Sequence, residues 1–150
     1  MKKEIITKSA KETFKFGKKF AQKLKGGEII ALIGELGSGK TMFVQGVAAG
    51  LGIKEKITSP TFVLLKEYKT KISNFQSPIS KLVHIDCYRM KNIEDVESIG
   101  IFDYFRRKDI VCLIEWADRI KKILPRDRIE IYFEHLGKDK RKIKIKISNS

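Results

Sequence analysis

The chain has 150 residues, 42% of them hydrophobic. That is enough for a single domain, residues 1–150, with a sizeable core, and too apolar for a disordered tail. No run nears the ~18 apolar residues of a membrane span, and residues 1–7 lack the apolar core of a signal peptide, which points to the cytoplasm. The net charge of +14 comes mostly from lysines spread from Lys2 to Lys146, with no arginine–aromatic cluster. It reads as a solvated surface capable of weak, salt-sensitive association with RNA or an acidic protein, not as a dedicated nucleic-acid site.

Ser9-Ala10-Lys11-Glu12 has the pattern of a capping box,. Ala10, Phe14, Gly17, Ala21 and Leu24 then keep one helical face until Gly26-Gly27 stop the helix,. Glu28-Ile29-Ile30-Ala31-Leu32-Ile33 is an apolar run suited to a buried parallel strand,. It runs into Gly34-Glu35-Leu36-Gly37-Ser38-Gly39-Lys40-Thr41, which fits G-x-x-x-x-G-K-[ST], the phosphate-binding loop,. The chemistry asks for these residue types. Glycines let backbone amides close on an anion, the Lys40 ammonium reaches the outer phosphates, and the Thr41 hydroxyl can ligate Mg²⁺. Val44, Val47, Ala48 and Leu51 follow at helical spacing and Gly50 and Gly52 close the helix, whose positive dipole end faces the loop,. Strand, glycine loop and helix stand in the required order.

Thr58-Ser59-Pro60-Thr61-Phe62 lies about 20 residues past Lys40, where many phosphate-loop proteins carry a loop that senses the γ-phosphate. From position alone a plain turn is an equal reading. Residues 62–68 are expected to form a strand and residues 69–80 a polar surface loop.

Two further apolar runs end in acids: residues 81–86 at Asp86 and residues 110–115 at Glu115. Ligands of open α/β sheets sit beyond the carboxyl ends of the strands, so both carboxylates can face Mg²⁺ near Thr41. Either could instead cap a following helix. Cys87 and Cys112 fall within apolar segments and read as buried reduced thiols. Asn92 to Gly100 reads as a short acidic helix with an Asn cap and a Gly stop, and Ile101-Phe102-Asp103-Tyr104-Phe105 as core packing. Trp116 directly follows Glu115 and is either a packing residue or a neighbour of the site. Alternation in residues 128–134 and 142–147 around Gly137-Lys138-Asp139 gives a terminal hairpin, its lysines suited to a protected edge. The fold expected is α/β: a mainly parallel sheet flanked by helices, of the P-loop NTPase kind, with a C-terminal antiparallel hairpin.

The D-x-x-G and N-K-x-D elements of a regulatory GTPase are absent from the sequence, so ATP is the expected nucleotide. A small phosphotransferase is the alternative. Its usual arginine-bearing lid is not evident, since Arg119, Arg126, Arg128 and Arg141 are followed or flanked by a hairpin.

The glycine loop, Ser59-Pro60-Thr61, His84-Ile85-Asp86-Cys87-Tyr88-Arg89, Gly100-Ile101-Phe102-Asp103-Tyr104-Phe105 and Glu115-Trp116 occur together and in order. In this combination the chain resembles the bacterial TsaE family (formerly YjeE), from the first helix to the hairpin. The resemblance implies an ATPase of tRNA threonylcarbamoyladenosine biosynthesis. It would act with TsaD and TsaB and support their turnover without itself transferring the threonylcarbamoyl group; direct contact with tRNA is left open. It further implies that Leu36, Gly37, Ser38, Gly39, Lys40 and Thr41 hold the phosphates, and that Thr41 and Glu115 bind Mg²⁺. Asp86 would be a further metal- or water-positioning acid, Ser59-Pro60-Thr61 a switch-like loop, and Ala10 and Trp116 neighbours of the nucleotide. Lys40, Asp86 and Glu115 are the residues expected to carry catalysis. With no evident arginine finger, hydrolysis would be slow alone and faster with the partner complex.

Overall fold

A computed structural model describes residues 2–35, 37–58, 65–71 and 78–148. Seven strands, β1 (Lys2–Thr7), β2 (Ile29–Ile33), β3 (Leu65–Lys69), β4 (Lys81–Asp86), β5 (Ile110–Glu115), β6 (Arg128–His135) and β7 (Arg141–Ser148), form one sheet in the order β1-β7-β6-β2-β5-β4-β3. β2 lies between β5 and β6 and parallel to both, and β4 is parallel to β5. Antiparallel strands extend both sides: β3 on β4, and β7 on β6 followed by β1 on β7. The unbroken apolar runs of β2 and β5 match their position, because inner parallel strands are covered on both faces. The alternation of β7, with Ile143 and Ile145 buried and Lys144 and Lys146 exposed, matches a sheet half with one wet face.

The hairpin lysines do not guard an edge. β1 pairs along β7, from Lys2 opposite Lys146 to Thr7 opposite Arg141, and itself takes the outer position. Alternation reports which face is buried; it says nothing about whether the row of backbone amides is taken. β1, with its lysines and only Ile5 and Ile6 as apolar residues, carried no apolar run from which to read it.

Helices cover both faces, giving three layers. On one side α1 (Ala10–Ala21) packs on α2 (Lys40–Gly50), and Phe43, Val44 and Val47 meet Leu32, Leu113, Ile131 and Ile143 of the sheet. The Ser9 hydroxyl caps α1 by accepting from the Glu12 amide at 3.1 Å,. Its buried stripe runs through Thr13, Gly17 and Ala21, leaving Phe14 half-buried and Ala10 exposed. Thr13 can face inward because its hydroxyl finds that of Thr7 at 2.7 Å,. On the other face Val83, Ile85 and Ile114 pack with Val96, Ile101 and Ile120.

The acidic stretch forms α3 (Ile93–Glu97), capped reciprocally by Asn92 and Asp95,. Gly100 (φ +76°) does not merely stop it but opens α4 (Ile101–Phe105). Of that aromatic stretch Ile101 is buried while Phe102 remains 41% exposed, so only part of it is core. Cys87 and Cys112 are buried free thiols, each pushed up to about 12 by desolvation,. The strand expected over residues 62–68 is seen as β3; its first three residues lie outside the described ones. Among the described residues no helix is long and apolar enough to cross a membrane.

Candidate functional site

β2 ends at Ile33 and α2 begins at Lys40, so the glycine turn spans the carboxyl end of the central strand. Gly39 precedes α2 at φ +100°, provides no side-chain cap, and no acid stands in the first turn. The first amides of α2 are therefore not taken by the usual side-chain acceptors, at the positive end of the helix dipole. Ser38 Oγ is buried without a hydrogen-bond partner among the described residues. A Cβ added at Gly37 would meet nothing within 4 Å, so the turn is open on that side.

Lys40 is buried and folds back across the turn. Its Nζ donates to the Gly34 carbonyl and stands 3.9 Å from the centroid of the Trp116 ring. Desolvation lowers its pKa, opposed by the charges of Glu115, Asp86 and Asp118,. A desolvated ammonium whose direct contacts are a carbonyl and a π face gains from pairing with an incoming anion,.

The acids arrive by strand register. Asp86 is opposite Glu115, and Glu115 is opposite Leu32, one residue before the end of β2. Glu115 is buried and its Oε2 accepts from His84 Nε2 at 2.7 Å; both side chains are closed to solvent. Asp86 is half-buried and its Oδ1 accepts from the Tyr88 amide at 3.0 Å. Burial raises its pKa, the Tyr88 amide opposes this, and the Glu115 charge adds to the rise. Trp116 adopts a left-handed backbone (φ +57°), uncommon for a large side chain,. This turns its ring onto Lys40 and onto Tyr88, whose centroid is 5.0 Å away. Arg119 lies 5.7 Å from Trp116 and 5.8 Å from Tyr88.

The residues present fit a nucleotide phosphate chain: a buried hydroxyl, a helix start with no acid in its first turn, and a desolvated ammonium. For a metal, no group of three or more His, Cys, Asp and Glu side chains converges among the described residues. A hard cation held by Thr41 and Glu115, with Asp86 near enough in register to hold it directly or through water, would take its other ligands from phosphate oxygens and water. That suits Mg²⁺, which keeps several waters and binds through one or two carboxylates.

Gly37, Ser38, Gly39, Lys40, Thr41, Asp86, Glu115 and Trp116 thus share the carboxyl end of the sheet, with Thr41 exposed in the first turn of α2. Ala10 is exposed at the start of α1. Leu36 and Ser59-Pro60-Thr61 lie outside the described residues. Sequence reasoning gave no role to three residues. His84 sits two positions before Asp86, so strand alternation puts both on one face, and that signal was available. Asp118 lies in a 3₁₀ helix (Ala117–Ile123) that carries no periodic signal. Arg141 reaches the turn only through the pairing of β6 with β7.

Residues 7–143 match the family model described as threonylcarbamoyl adenosine biosynthesis protein TsaE. The tRNA threonylcarbamoyladenosine biosynthesis protein TsaE of Bacillus subtilis is 39% identical over 137 residues, covering 91% of this chain and 80% of that protein. The protein of the same name from Aquifex aeolicus is 39% identical over 145 residues, covering 95% of each. That of Treponema pallidum is 36% identical over 140 residues, covering 93% of this chain and 97% of its own. In three dimensions the chain is similar to the crystal structure of Bacillus subtilis YdiB, with a TM-score of 0.75 and 34% identity, over 99% of this chain and 87% of that one.

Proposed function

The chain belongs to the TsaE family, and from that premise we propose that it is an ATPase of tRNA threonylcarbamoyladenosine biosynthesis. It would use ATP with Mg²⁺ in the cytoplasm and act with the TsaD–TsaB complex to support its turnover. Residues 1–150 would form a single ATPase domain. The observation that carries the reading is the meeting of the glycine turn with two strand-end carboxylates in register, Asp86 and Glu115, around the buried Lys40.

In this reading the amides of residues 37–41 and the Lys40 ammonium hold the β- and γ-phosphates and offset charge as the γ-phosphoryl departs. Lys40 leaves the Gly34 carbonyl and the Trp116 ring for phosphate oxygens. Thr41 and Glu115 supply the protein ligands of the cation, with Glu115 held by His84. Asp86 orients the attacking water, and burial suits it to a proton-accepting role. When bound, Mg²⁺ would supply neutralisation of the charge on the phosphates. Leu36 would complete the phosphate turn, Ser59-Pro60-Thr61 would respond to the γ-phosphate, and Ala10 and Trp116 would flank the nucleotide.

The test is phosphate release with and without TsaD–TsaB, with pull-downs in ATP and in ADP. The expected result is slow hydrolysis alone, acceleration by the complex, and nucleotide-dependent capture. Lys40→Ala and Glu115→Ala should each abolish the accelerated rate; normal turnover in either would end the assignment. Labelled γ-phosphate on an acceptor, in place of free phosphate on thin-layer analysis, would identify a phosphotransferase instead.

A further inference from the structure

Arg141, the first residue of β7, lies against the phosphate turn from the side opposite the carboxylates. β7 pairs with β6, and β6 is the neighbour of β2 on the flank away from β5 and β4. A Cβ added at Gly39 would stand 3.3 Å from both Cγ and Nε of Arg141 and 3.4 Å from its Cδ. The arginine stem therefore covers Gly39, the residue that immediately precedes α2. The guanidinium is partly anchored: Nη1 donates to the carbonyls of Lys138 and Lys140, at 3.2 and 3.1 Å. Nε is buried and has no partner among the described residues. A buried guanidinium donor left unpaired is costly, and here it lies beside amides suited to an anion. Oxygens of one phosphate chain would satisfy both, and the planar fork of arginine matches phosphate geometry.

We propose that Arg141 is a nucleotide-contacting residue. Its guanidinium, held by the β6–β7 turn, donates to the phosphate chain on the flank away from Glu115 and Asp86. The proposal rests on the nucleotide reading above and extends it: the phosphates would lie between Lys40 with the acids on one side and a second fixed cation on the other. A methyl group at position 39, already disfavoured by the backbone angle, would stand 3.3–3.4 Å from the arginine stem, which would have to give way slightly.

The probe is Mg-ADP, titrated by calorimetry into the intact protein well below its melting temperature, with a thermal melt of each nucleotide-free variant. Arg141→Met keeps an aliphatic stem over Gly39 and removes the guanidinium. Its affinity for ADP should fall roughly ten- to a hundred-fold, the loss expected for a charged hydrogen bond. Arg141→Lys should recover part of the loss, since it restores charge without the fork. Lys40→Ala is the control for the premise. If Lys40→Ala loses ADP while Arg141→Met binds within twofold of the unaltered protein, Arg141 is only a strut of the hairpin turn and the proposal falls, with the nucleotide reading intact. A lowered melting temperature with unchanged affinity has the same meaning. If the unaltered protein does not take up ADP, the premise and the proposal fall together.

Discussion

His84 Nε2 stands 2.7 Å from Glu115 Oε2, and both side chains are shut off from solvent between β4 and β5. The contact fixes one oxygen of the Glu115 carboxylate. The other ring nitrogen of His84, Nδ1, is buried without a partner among the described residues, so the bond to Glu115 is the imidazole's hydrogen bond there.

Replacing His84 with alanine should therefore affect stability and the site together. It leaves a buried acceptor without its donor, a loss of ~1–3 kcal/mol or somewhat more for a charged group. For a chain of this length that is a fall of several degrees in melting temperature, at about 2–4 °C per kcal/mol. Phosphate release should fall with it, as Glu115 loses its fixed orientation, whereas metal-free ADP binding should change little. His84→Gln, which keeps a donor of similar reach, should recover part of both. Thermal melts and a phosphate-release assay read the outcome; an alanine variant with unaltered melting and turnover would remove His84 from the account.

Lys40 carries the opposite sign. Burial lowers its pKa from the ordinary 10.5 despite the nearby acids. Between the lowered value and 10.5 the unfolded chain binds more protons than the folded one, so stability rises with pH across that interval. Below it the charged ammonium is a standing cost of folding. Lys40→Met should melt higher than the unaltered protein at neutral pH and lose ADP binding. The stability gap should narrow as pH climbs toward 10.5. Melts in nucleotide-free buffer across this range check it, and a less stable methionine variant at pH 7 would contradict it.

The legible parts of this fold were those written in consecutive residues. The β2 run, the glycine turn and the α2 spacing specify one another locally, and two further apolar runs ending in Asp86 and Glu115 gave the strands that meet them. What could not be read was set by partners distant in sequence. β1 is a strand because β7 offers it a row of amides, and Trp116 faces Lys40 because its backbone turns left-handed where the 3₁₀ helix begins. Arg141 comes to Gly39 by way of the pairing of β6 with β2. On α1, Gly17, Ala21 and Leu24 are buried as expected, but in the first turns Thr13 takes the buried place expected of Ala10 and Phe14, for a similar reason: Thr13 is polar by type, and the hydroxyl of Thr7 makes its burial acceptable.

The contact between α1 and α2 depends on the absence of side chains. A Cβ on Gly46 would stand 2.1 Å from the Phe14 carbonyl oxygen, and one on Gly17 would stand 2.4 Å from that of Phe43. These are backbone atoms of the opposite helix and cannot step aside as a side-chain tip can. Gly46→Ala should push the helices apart and destabilise by ~1–3 kcal/mol, as overpacking does, outweighing alanine's better helix propensity of about 1 kcal/mol. Because α2 begins at Lys40, the displacement should also reach the phosphate turn and weaken ADP binding severalfold. Chemical denaturation with an ADP titration tests both, and a stabilised Gly46→Ala would show that the helices are less tightly apposed.

Asp109 gives a prediction at acid pH. It precedes β5 and draws its neighbours together: Arg107 Nη2 donates to its Oδ2 at 2.7 Å, Arg107 Nε to its Oδ1 at 3.1 Å, and Ser80 Oγ to its Oδ2 at 2.6 Å. The Arg107 hydrogen bonds first and Ser80 second hold its pKa down at about 2, below the ordinary 3.8. A depressed carboxylate favours the folded state fully above its unfolded value, and the contribution is lost as pH falls through the folded value. Asp109→Asn should thus melt slightly below the unaltered protein near neutrality, with the gap closing between about pH 4 and pH 2. The pair is solvent-exposed, with side chains 44% and 41% accessible, so screening keeps its worth small. The gap should also shrink in 1 M salt. A difference in melting temperature that persists unchanged to pH 2 would mean that asparagine disturbs the start of β5 by its shape, and that the charge of Asp109 contributes nothing.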